Sequence, residues 1–204
     1  KNGVKNMNQT KDFIGFEKTL KLFQGLFNIF YWVIIIGMFL GIGGMIAVTF
    51  VPLHTLHDIL AAKETTFDVD VTLFSTKIDV NHIQITKIRT LIINACIIYE
   101  VILTTLLFIT IQLKRILQFA RNKQPFSKSC IKHIRYLAYG VIIYGFITEL
   151  LVNIWSLLLV KILQLSEPVI YLKFEMMITG FLILLLTHIF KYGAYLQDEY
   201  DSTL

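Results

Sequence analysis

The chain has 204 residues, of which 55% are hydrophobic and only 16% charged, with a mean hydropathy of +0.66 and a formal net charge of +5. Soluble domains do not carry that balance, so the composition reads as an integral membrane protein. A helical crossing needs about 20 residues, and a handful of crossings with short loops then consumes nearly the whole chain. No room is left for a separate soluble catalytic domain.

The N-terminal segment carries Lys1, Lys5, Lys11, Lys18 and Lys21. It starts Lys1-Asn2-Gly3, with the first methionine at Met7, which leaves the native start open. Between Leu22 and Val51 there is no charge, so a first transmembrane helix is predicted over 22–51. That run is longer than a signal-peptide core and no small-x-small site follows it, so it reads as a retained span. Ahead of it, Phe13, Phe16, Leu20, Phe23 and Phe27 recur at helical spacing. Two readings fit: an interface-lying amphipathic helix feeding the span, or one long tilted helix. Gly37, Gly41 and Gly44, with Gly43 adjacent, give the span a small-residue face suited to close packing on another span, and a homodimer stays open.

Residues 52–89 form a long loop. Phe67, Val69, Val71 and Leu73 alternate with Asp68, Asp70 and Thr72, and a weaker alternation follows over 78–85 after Phe74-Ser75-Thr76-Lys77. Period-two alternation predicts a small β-hairpin there. His54 and His57, with Asp58, are the nearest approach to a metal-ligand spacing, but no further ligand accompanies them.

Three more transmembrane helices are expected over 90–113, 136–160 and 174–192. The loop between the second and third, 114–135, holds Lys114, Arg115, Arg121, Lys123, Lys128, Lys132 and Arg135 and no acid. The turn around Glu167-Pro168 is short and makes the last two helices antiparallel neighbours. The tail, 193–204, contains Asp198, Glu199 and Asp201. Four spans put both termini on one side, and thirteen of nineteen Lys and Arg residues fall on that side. The positive-inside rule makes the termini and the 114–135 loop cytoplasmic and the hairpin loop external. The fold expected is therefore all-α, a single four-helix membrane domain over 1–204 in the plasma membrane.

Of the charges within the predicted spans, Glu175 and Lys191 stand at the ends of the fourth. Glu100 and Glu149 are the charges deep within them, each about 15 Å from the external end at 1.5 Å per residue. Thr104 and Asn153 lie one turn beyond them. An intramembrane carboxylate is costly unless protonated or paired. One reading makes the pair a proton or cation site; the other makes each a protonated carboxyl bonded to a neighbouring helix. The absence of an intramembrane Lys or Arg partner favours the second. His188, near the inner end of the fourth span, reads as an interfacial histidine rather than a ligand. Cys96 and Cys130 sit in different environments and suggest neither a disulfide nor a metal site. The hydrolase, zincin, Walker and Cys-x-x-Cys signatures are missing from the sequence. The reading includes no catalysis, no cofactor, no metal and no direct nucleic-acid contact.

Two segments carry a resemblance. Arg121-Asn122-Lys123-Gln124-Pro125-Phe126-Ser127 with Ile131-Lys132-His133-Ile134-Arg135, and the ending Ile189-Phe190-Lys191-Tyr192-Gly193-Ala194-Tyr195-Leu196-Gln197-Asp198-Glu199-Tyr200-Asp201-Ser202-Thr203-Leu204, resemble the basic hairpin and C-terminal signature of a bacterial membrane family catalogued as domain of unknown function 2975. The resemblance implies four helices with a long first external loop. It also implies a regulatory partner, because such genes often stand beside a small Xre-type helix-turn-helix regulator. The expected contact surface is then Arg121, Lys123, Phe126, Asp198, Glu199 and Asp201, in a bacterial plasma-membrane protein acting through protein contacts. In this segment Ser127 is expected to cap the third helix. The alternatives are a small proton-coupled transporter using Glu100 and Glu149, and an antimicrobial-peptide immunity or sensor protein using the hairpin.

Overall fold

The computed structural model describes residues 2–52, 55, 66–71, 74–79, 85–122, 124–163 and 173–202. Helix α1 runs Asn2–Phe50, strands β1 and β2 run Thr66–Val71 and Phe74–Asp79, and helices α2, α3 and α4 run Ile85–Arg121, Lys128–Leu163 and Glu175–Ser202. All four helices contain a segment long and apolar enough to cross a membrane.

Each helix outruns its uncharged stretch. Helix α1 has 49 residues, so the N-terminal amphipathic segment and the first span are one uninterrupted helix. The larger difference is in the basic loop: residues 114–121 are the end of α2 and residues 128–135 the start of α3. The physical reason is that the apolar periodicity does not stop where charges appear. Cys130, Ile131, Ile134, Leu137 and Ala138 recur at helical spacing and are buried, while Lys128, Lys132 and Arg135 point outward on the same turns.

The reversal between α2 and α3 is compact and explained by its residues. The Gln124 N–H donates to the Phe119 carbonyl at 3.0 Å, the six-to-one bond of a Schellman-type helix ending. The Ser127 N–H reaches the Gln124 carbonyl at 3.3 Å, closing a β-turn with Pro125 at the position its fixed φ favours. Ser127 then caps α3: its Oγ accepts from the Cys130 N–H at 3.2 Å, satisfying one of the orphan donors of the first turn.

Strands β1 and β2 pair antiparallel, Thr66 opposite Asp79 and Val71 opposite Phe74. The second strand begins at Phe74, ahead of the weaker alternation read over 78–85, and Ile85 opens α2. Residues 72, 73 and 80–84 of the expected hairpin lie outside the described residues, as does the turn at Glu167-Pro168.

The chain divides into two compact units. One is Lys1–Ile36 with Thr104–Gly145 and Phe174–Leu204; the other is Gly37–Leu103 with Phe146–Lys173. The first holds most of the buried apolar residues, from Ile34 and Ile109 to the α3 series ending at Ala138. Its tightest approach is between α3 and α4. A Cβ at Gly180 would overlap Ile142 Cγ1 and stand 2.9 Å from the Ile142 backbone nitrogen and 3.1 Å from the Ala138 carbonyl oxygen. Only glycine lets these backbones come so close. Gly145 packs similarly on Met176 and Met177, and Gly140 on Phe108.

In the second unit, Gly37 and Gly41 receive α2: Tyr99 Oη and Leu103 stand 3.1 and 3.3 Å from a Cβ at Gly37, and a Cβ at Gly41 would overlap Glu100 Oε1. Among the described residues nothing stands within 4 Å of such a Cβ at Gly43 or Gly44, so the packing they show is on the first half of the glycine stripe. The end of α1 is held from α2. Arg89 Nη2 donates to the Val51 carbonyl, just past the last helical residue, where unpaired carbonyls and the negative end of the helix dipole favour a cation.

Candidate functional site

The α2–α3 turn and the continuation of α4 meet in the first unit. Phe126, at the turn, faces Phe190 with ring centroids 5.5 Å apart and planes tilted by 35°, within the centroid range of favourable aromatic pairs. Its edge also lies over Gly193, with Phe126 Cε1 at 3.2 Å and Cδ1 at 3.3 Å from where a Cβ would be. Phe126 is still 41% exposed. The ring is seated on α4 and presents its outer edge.

In the same unit several polar residues form definite pairs. Arg121 Nη1 donates to Gln24 Oε1 at 3.2 Å. Lys114 Nζ donates to Asn28 Oδ1 at 2.9 Å and sits 4.3 Å from the Tyr31 ring centroid, within cation–π range. Two residues before Lys114, Gln112 is only 4% exposed, and its Oε1 is 2.9 Å from His133 Nδ1. The His133 ring stacks on Phe119 at 5.8 Å. A buried amide needs such a partner. Sequence reasoning missed this pair; its one signal was an uncharged polar residue near the end of the second apolar run, with a histidine across the turn.

Beyond Gly193 the acidic tail is helical to Ser202. Asp198 and Glu199 are exposed, as are the side chains of Tyr192, Tyr195, Leu196 and Tyr200. Ser202 Oγ donates to the Glu199 carbonyl at 2.7 Å. Of the six residues expected to form a contact surface, Arg121, Phe126, Asp198 and Glu199 belong to this unit with described side chains. Asp201 is helical, its side chain outside the description, and Lys123, Thr203 and Leu204 lie outside the described residues.

The second candidate cluster is split. Glu100, Glu149 and Asn153 belong to the other unit, whereas Thr104 begins the segment assigned to the first. Glu100 Oε1 is buried in the space that the missing side chain of Gly41 leaves, beside Tyr99. Glu149 and Asn153 are partly exposed and one turn apart on α3. His188 Nδ1 is 3.0 Å from the Leu184 carbonyl of its own helix, consistent with a ring lying on the exposed face of α4. His54, His57 and Asp58 lie outside the described residues. Among the described residues no group of three or more His, Cys, Asp or Glu side chains is placed to hold a metal. Cys96 and Cys130 are free thiols.

Fold and site together define a multi-pass α-helical protein whose clearest assembled feature is an aromatic contact between a basic helical turn and an acidic C-terminal helix. The family described as protein of unknown function, DUF2975, matches residues 75–204, and the chain belongs to that family. The match takes in all but the first residue of β2 and all of α2, α3 and α4, including Phe126 and Gly193, and leaves α1 and β1 outside. No curated protein and no solved structure matches the chain.

Proposed function

We propose that the protein acts without catalysis, through a cytoplasmic surface built from the α2–α3 turn and the tail helix, which holds and releases a regulatory protein of the small helix-turn-helix kind. The observation that carries this reading is the seating of Phe126 on Phe190 and Gly193. It joins the two segments whose motifs bear the family resemblance, and it leaves Asp198, Glu199 and several tyrosines exposed beside them. Nucleic-acid-binding regulators carry basic surfaces, and an acidic helix with exposed aromatic rings offers such a partner charge complementarity and anchors. The surface lies on the side that the Lys and Arg distribution assigns to the cytoplasm.

A two-hybrid assay in bacterial cells between the full chain and a small Xre-type helix-turn-helix regulator tests this. A signal that Asp198→Lys with Glu199→Lys abolishes, while Asp198→Asn with Glu199→Gln weakens it, supports the reading. A signal that neither pair changes removes it.

A second reading rests on Glu100 in its Gly41 seat. A carboxyl admitted to a glycine face within a span fits proton exchange coupled to transport, with Glu149 as the second carboxyl. Proton flux into vesicles containing the purified chain should then fall with Glu100→Gln or Glu149→Gln, and flux unchanged by both dismisses it.

A further inference from the structure

The exposed residues of α3 fall on one stripe at three-and-four spacing, and its chemistry changes along the helix. It begins with Lys128, Lys132 and Arg135, continues with Tyr136 and Tyr139, turns wholly apolar from Ile143 to Leu157 and ends at Lys161. From Tyr139 to Lys161 the rise is about 33 Å at 1.5 Å per residue, close to the ~30 Å of a bilayer's hydrocarbon core. The opposite side of the same turns, with Cys130, Ile131, Ile134, Leu137 and Ala138, is buried. The stripe therefore has the sequence of environments a lipid presents: acyl chain, interface, head group.

Tyrosines of this kind sit at the head-group boundary, which puts the three cations one to three turns beyond it, at the level of lipid phosphates. Lys132 Nζ is 5.6 Å from the Tyr136 ring centroid, so the ammonium group lies on the head-group side of the tyrosine that marks the interface. Lys114 and Arg121 are already engaged with Asn28 and Gln24; the trio on α3 faces outward. We infer that Lys128, Lys132 and Arg135 form a site for the phosphate-bearing head group of an anionic phospholipid, with its acyl chains running down the apolar part of the same α3 stripe. This site is independent of the tail surface and involves none of the acids assigned to it.

A tryptophan placed at the interface of the stripe reads it directly. In the full chain carrying Trp32→Phe, Trp155→Phe and Tyr139→Trp, reconstituted in vesicles, quenching is compared for phosphatidylglycerol and phosphatidylcholine bearing brominated chains at equal mole fraction. The site requires stronger quenching by phosphatidylglycerol. Lys128→Gln, Lys132→Gln and Arg135→Gln together should remove that preference, by about fivefold in local enrichment for each charge lost, while quenching by phosphatidylcholine stays as it was. High salt should weaken the preference, because the head group and the cations are both near water. Equal quenching by the two lipids before any charge is removed, or a preference that survives the triple substitution, overturns the proposal and leaves the trio to a protein ligand. If the triple variant loses quenching by both lipids it has lost insertion. Single Lys132→Gln and Arg135→Gln variants then decide by the same ratio.

Discussion

Phe126 lies against Gly193, its Cε1 only 3.2 Å from the point a Cβ would occupy, so a residue from the turn between two helices is seated on the backbone of a third. Glycine at 193 has a steric reason, and the reason belongs to a contact between distant parts of the sequence.

That contact gives a graded expectation. Gly193→Ala asks the ring to yield by a few tenths of an ångström and gains about 1 kcal/mol of helix propensity, so stability should stay within about 1 kcal/mol of the parent. Gly193→Leu cannot be accommodated without expelling the ring, and overpacking of this kind costs about 1–3 kcal/mol. Denaturant unfolding in detergent micelles measures both. Equal effects of the two substitutions would show that Phe126 is not held there.

The approach of α3 to α4 at Gly180 is less forgiving, because the atoms in the way include the backbone of Ile142 and Ala138. Gly180→Ala should destabilise by about 1–3 kcal/mol. Gly43→Ala, with nothing among the described residues within 4 Å, should be neutral or slightly stabilising. Thermal unfolding of the two variants side by side makes the comparison, and a milder effect at 180 than at 43 would contradict the packing described.

Gln112 and His133 form a pair best examined together. Gln112→Leu or His133→Phe alone removes one partner and leaves the other polar group unsatisfied in a closely packed place, at about 1–3 kcal/mol. The double variant should recover much of that loss, giving a coupling energy of about 1 kcal/mol or more in a double-mutant cycle. Additive losses would mean that the two side chains do not depend on one another.

Arg89 supplies a cation and a donor to the carbonyl that ends α1. Replacing it by Gln should cost about 1–2 kcal/mol, from a charge-assisted hydrogen bond and the helix dipole. The loss should appear locally, as faster hydrogen exchange of the Val51 amide, which bonds to the Ala47 carbonyl at 2.9 Å. Unchanged exchange at Val51 would place the guanidinium elsewhere.

How far the sequence carried this picture depended on which physical signal was at work. Four apolar helices were legible because a bilayer tolerates so few charges within a crossing, and the long uncharged runs record that. Helix ends were not legible from the same signal. Charge marks where the hydrocarbon stops, and α2 and α3 continue past it as a helical hairpin whose inner face stays apolar at Cys130, Ile131 and Ile134. The glycine stripe of α1 was visible, yet its packing half was not, since Gly37 and Gly41 differ from Gly43 and Gly44 only in what lies opposite. Gly180, the closest backbone approach, carried no repeat to mark it. Within the contact surface, the cap at Ser127 followed from a local rule. The seating of Phe126 on Gly193, 67 positions away, could come only from the fold.

Binding of a purified small Xre-type helix-turn-helix regulator, to the full chain held in nanodiscs, tests the central proposal most directly. The account requires saturable binding that Phe126→Ala and the Asp198→Lys, Glu199→Lys pair each weaken at least about tenfold, the size expected when a central anchor or a complementary charge is lost. Absence of binding, or binding that both variants leave unchanged, would contradict it.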